Sequence, residues 1–103
     1  MDAQARYHEL ADDLAAQHGD VALGKMFGMP CVKRNGKAVA GYYRGDMVFK
    51  LPDEAARERA LALDGAQLFD PMGGRPMKEW VQVPAAHADR WPELAELALT
   101  PAG

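Results

Sequence analysis

Cysteine is nearly missing from this chain, and so are several other signals that would name a reaction. One cysteine in 103 residues cannot form an internal disulfide, and the three histidines fall in no Cys/His cluster with zinc spacing. No apolar run approaches the roughly 20 residues that cross a bilayer. The start, Met1-Asp2-Ala3-Gln4-Ala5-Arg6, lacks the basic-then-apolar order of a signal peptide. The sequence is therefore expected to be cytoplasmic, with no membrane partner. No Gly-rich phosphate loop, nucleophile elbow or metal motif is present. Neither a catalytic residue nor a cofactor is expected, because no nucleophile, base and orienting group stand at a working spacing. Asp70 with Glu79, and His87-Ala88-Asp89, are the nearest approaches to such a set; turn-flanking surface acids and helix capping explain them more simply.

What is there is an ordinary globular composition, 49% apolar and 26% charged. The length allows one core and not two, so residues 1–103 are read as a single domain. Cys31, beside Val32, reads as a small buried hydrophobe. The net charge of −3 conceals an asymmetry. Residues 21–51 carry Lys25, Lys33, Arg34, Lys37, Arg44 and Lys50 against Asp46 alone, whereas the first twenty residues carry five acids against Arg6. The strands are expected to be basic and the flanking helices acidic.

The pattern predicts a helix over 3–18, capped by Asp2 and closed by Gly19, with Tyr7, Leu10, Ala11 and Leu14 on its inner face. Strands follow at 21–27, 31–34, 37–44 and 46–51. Asn35-Gly36 supplies a two-residue hairpin turn, Gly45-Asp46 a second turn, and Met29-Pro30 a bend, since proline cannot donate to a ladder. A helix from Glu54 to about 61 or 62 is capped by Asp53. Strands at 67–69 and 77–83 flank a turn-rich loop at 70–76, the segment expected to move. A last helix starts at His87 or Asp89 with Pro92 in its first turn; its buried stripe is Trp91, Leu94, Ala95 and Ala98, and the tail from Thr100 to Gly103 frays. The expected class is α+β: an antiparallel sheet of five to six strands with helices on one face, in the order α-β4-α-β2-α.

Lys25-Met26-Phe27-Gly28, Asn35-Gly36-Lys37, the strand to Tyr43, Met47-Val48-Phe49-Lys50-Leu51, and Gly74-Arg75-Pro76-Met77 through Val83-Pro84 together resemble the N-terminal domain of the TfoX/Sxy competence regulators, over about residues 5 to 99. YjbR-like domains are the more distant likeness. The resemblance implies a helix-flanked antiparallel sheet and a regulatory role, and it brings no catalytic residues. Longer members add a domain similar to helix-hairpin-helix modules, which is not expected within these 103 residues. Met29 stands where many relatives carry a second glycine.

Two functional readings follow. In the first, the sheet face opposite the helices bears Tyr42, Val48 and Trp80 and serves a non-catalytic interaction module, forming a homodimer or docking a protein partner through the sheet or its edge strand, with either edge open to that role. Trp80→Ala is then expected to weaken self-association and leave the fold intact. In the second, Lys33, Arg34, Lys37, Arg44 and Lys50 form a nucleic-acid patch with Tyr42 or Trp80 for stacking. The acidic balance of the whole chain makes the first reading the preferred one.

Overall fold

The computed structural model describes residues 2–100, so most of the expected tail lies outside the described residues. Helix α1, Ala3–Gln17, begins where Asp2 Oδ1 accepts a 2.8 Å hydrogen bond from the Ala5 N–H, which satisfies one of the orphan donors of the first turn. Tyr7, Ala11 and Leu14 are its buried residues, spaced by four and three as one helical face requires.

Four strands then run back and forth: β1, Val21–Met26; β2, Met29–Arg34; β3, Lys37–Tyr43; and β4, Asp46–Lys50. Each is joined to the next by two residues with positive φ, Phe27-Gly28, Asn35-Gly36 and Arg44-Gly45. This is the turn geometry whose twist matches paired strands. The second turn therefore lies at Arg44-Gly45 rather than Gly45-Asp46, because Asp46 pairs with Tyr43 in the ladder. The first turn is Phe27-Gly28 rather than a bend at Met29-Pro30. Pro30 lies inside β2 opposite Lys25, and the β2–β3 ladder begins only at Cys31–Gly41. The missing N–H of Pro30 thus leaves no gap in that ladder.

Helix α2, Glu54–Leu61, is capped by Asp53, which accepts from the Ala56 N–H at 2.9 Å. Strands β5, Gln67–Phe69, and β6, Met77–Val83, complete one six-stranded antiparallel sheet in the order β1-β2-β3-β4-β6-β5. The final helix does not start at His87 or Asp89. Residues Ala85–Arg90 form a 3-10 segment kinked at His87, and α3 runs from Trp91 to Leu99 with Pro92 in its first turn.

All three helices lie on one face. Tyr7, Ala11 and Leu14 of α1, Ala60 of α2, and Trp91, Leu94, Ala95, Ala98 and Leu99 of α3 meet Val32, Ala40, Met47, Phe49, Val81 and Val83 of the sheet in the main core. The fold is a two-layer α+β domain, and no described helix is long and apolar enough to cross a membrane.

Candidate interaction surface

Antiparallel pairing fixes which side chains share a face, and it separates the three residues expected together. Tyr42 pairs with Met47, a main-core residue, and its ring lies 5.5 Å from that of Tyr7 on α1. It belongs to the helix side. Val48 pairs with Gln82, and Trp80 with Lys50; these project from the opposite face. There Val48 and Trp80 pack with Met29 and Phe69, flanked by Met26, Ala38, Tyr43 and Met77. Tyr43 meets Phe69 edge-on at 5.0 Å.

This second cluster contains no helical residue, yet Val48 is fully buried and Trp80 only 7% exposed. The sheet's outer face is closed by its own side chains and is not an open apolar platform. Sequence alternation gave each strand two faces but not which strand's face joins which. The register shift between Leu68 and Phe69 on β5, opposite β6, brings Met77 to the Trp80 side, against strict alternation.

The five basic residues divide as well. Arg34 donates to Asp20 Oδ2 at 2.8 Å and to the carbonyl of Leu99. That guanidinium holds the Asp20 carboxyl below the ordinary carboxylate range. The stem of Lys33 passes over Gly24, where an added Cβ would come within 3.1 Å of its Cε. Arg44 places its guanidinium 5.1 Å above the Tyr43 ring. Lys37 opens β3 and Arg44 follows its last residue, so the two stand at opposite ends of a seven-residue strand, about 20 Å apart at strand rise. Lys50 faces Trp80 across the β4–β6 ladder.

Cys31 is buried between Gly24 and Gly41 on the neighbouring strands. Burial raises its thiol pKa, against a smaller lowering by Lys33. Asp70 caps its own loop, accepting from the N–H groups of Gly74 and Arg75 at 2.8 and 3.3 Å. His87 Nε2 donates to the Asp64 carbonyl at 2.8 Å. Among the described residues no three His, Cys, Asp or Glu side chains converge as a metal site would require.

An edge strand was expected as a docking surface without its identity, and the edge that carries exposed apolar side chains is β1. Leu23 is 46% exposed on the strand, and Phe27 is 69% exposed in the turn beside it. Phe27 also has φ +52°, a left-handed conformation that is costly for a bulky side chain. The available signal was an aromatic residue in the first position of a tight turn, where Asn or Gly is the ordinary choice. The Asp20 carbonyl accepts from the N–H of Asn35, just past the end of β2. By alternation, Ala22, Gly24 and Met26 also turn their backbone groups toward β2. Leu23 and Lys25 turn theirs outward. No protein-family model, curated protein or solved structure matches this chain.

Proposed function

We propose that the chain is a non-catalytic interaction module of the regulatory kind that the TfoX/Sxy resemblance implies, and that it self-associates through the edge of its sheet at β1. The observation that carries this reading is the pairing of an outward-facing backbone edge with two exposed apolar side chains, Leu23 and Phe27. An uncovered edge strand is a template for another strand, and two copies related by a two-fold axis run antiparallel along it, so that one surface serves both. The twelve strands then form a single sheet. The charge of Lys25 is the one cationic group on this strand, and an apolar and backbone-bonded contact of this kind responds little to salt.

Light scattering on a sizing column tests it. The expected result is a dimer whose mass is the same at low and moderate salt and is unchanged by short duplex DNA. Phe27→Asn removes the aromatic ring and places a residue that favours left-handed turns before Gly28, so this variant keeps the hairpin; combined with Leu23→Lys it is expected to be monomeric with an unaltered far-UV spectrum. A wild-type monomer at all concentrations, or a double variant that still dimerises, overturns the proposal. A monomer that shifts onto DNA only at low salt makes the basic strands the working surface instead.

A further inference from the structure

A second surface lies on the helical layer and is independent of the β1 edge. Along α1, residues 6, 9, 10, 13, 14 and 17 form one stripe at three- and four-residue spacing, and they face the 3-10 segment and α3 across a groove of about 450 Å³. That size falls within the range of small-molecule sites. Its floor is apolar, made by Leu10, Leu14, Trp91 and Pro92. Its walls are acidic: Glu9 and Asp13 stand on α1, Asp89 and Glu96 on the other side, and Arg6 is the one opposing charge.

The groove has a definite shape. Near the C-terminal end of α1, His18 Nε2 lies 3.4 Å from Glu96 Oε1 and bridges the two walls. Past Arg6 the trough continues into a second hollow bounded by Ala3, Ala85 and Ala86. The whole follows the length of α1, about 20 Å at helical rise. One further feature marks the floor: Trp91 is 1% exposed, and its indole N–H has no acceptor among the described residues, an uncommon state for a buried donor.

The distribution of charge selects the ligand. A point cation requires several carboxylates converging on one spot, and no three acidic or other ligating side chains converge among the described residues. Carboxylates spread along both walls of an apolar trough match a molecule whose own charges are spread apart by apolar spacers. We infer that the α1–α3 groove binds a slender aliphatic polyamine, with its methylene segments along the floor over Leu10 and Pro92 and its ammonium groups at Glu9 and Asp13 on one wall and Asp89 and Glu96 on the other. Glu9, Asp13 and Asp89 have no ion-pair partner among the described residues, so they are available to the ligand without the loss of an existing contact.

Calorimetric titration of the full chain with spermidine at physiological salt tests this. Saturable one-to-one binding is expected. The Glu9→Gln, Asp13→Asn double variant is expected to bind about three- to tenfold more weakly, since each of the two exposed ion pairs it removes is worth a factor of a few. Both positions are exposed, so the variant folds, which circular dichroism checks. Glu54→Gln with Glu58→Gln on α2, outside the groove, is expected to leave binding unchanged, and magnesium is not expected to displace the polyamine. Absence of saturable binding at millimolar spermidine overturns the inference. So does equal weakening by the α2 variant, or displacement by magnesium, either of which means diffuse attraction to an acidic protein.

Discussion

Cys31 shows how little a side chain's identity decides until its neighbours are known. Lys33 stands two residues along the same strand and lowers the thiol pKa, yet burial acts in the other direction and is the larger effect. A neutral, enclosed thiol is a poor nucleophile. Iodoacetamide at pH 8 is therefore expected to label the folded chain no faster than global or local opening permits, with the rate rising in step with urea-induced unfolding; rapid labelling of the native protein would show that the site opens. Tyr7 behaves alike: buried against the sheet, it has its phenol pKa raised chiefly by desolvation. Phe27 is the opposite case, an aromatic residue left in solvent with a left-handed backbone. That exposure was not legible in the sequence, where the same residue reads as the end of an ordinary apolar strand.

At the level of elements, the sheet's outer face carries the clearest consequence. Trp80, Val48, Phe69 and Met29 form a second core, so Trp80→Ala is expected to destabilise the domain by about 3–5 kcal/mol, the usual cost of removing a buried large aromatic side chain. Equilibrium urea unfolding measures it. A variant of wild-type stability with weakened self-association would restore the open-face expectation. Turn chemistry was largely legible: Asn35-Gly36 fixed one hairpin, and the caps at Asp2 and Asp53 fixed two helix starts to within a residue. The start of α3 was not, because the tight 3-10 segment Ala85–Arg90 satisfies its backbone through contacts such as the His87 N–H donating to the Pro84 carbonyl, and side-chain periodicity carries no mark of that. Which strand forms the apolar edge, and the existence of the α1–α3 groove, were hidden, since both depend on which element ends up beside which. The acidic character of α1, by contrast, was plain from composition and became meaningful once α3 supplied the facing wall.

Across the whole molecule, Arg34 joins distant parts of the chain. It holds Asp20 at the start of β1 and the Leu99 carbonyl at the end of α3. Asp20 has a lowered pKa in the folded state, so its contribution is present above the ordinary carboxylate value near 4 and is lost as pH falls through the lowered folded value. Urea midpoints measured from pH 7 down to pH 2 should therefore drop for the wild type, and Asp20→Asn should be less stable at pH 7 with a shallower acid limb. Parallel curves would mean that the Arg34 contact adds nothing. The same long reach shapes how the protein comes into being. The β1–β4 meander pairs only neighbours in the chain, but Tyr7 shares a core with Trp91 and Leu94, more than eighty residues later. At about 5–20 residues per second of synthesis, the core side of α1 waits roughly 4–16 s at the ribosome before the helix that completes it exists. The nascent chain spends that interval with the α3-facing side of this core uncovered even where the sheet already meets α1, and it is then that a chaperone or a premature partner has access to it.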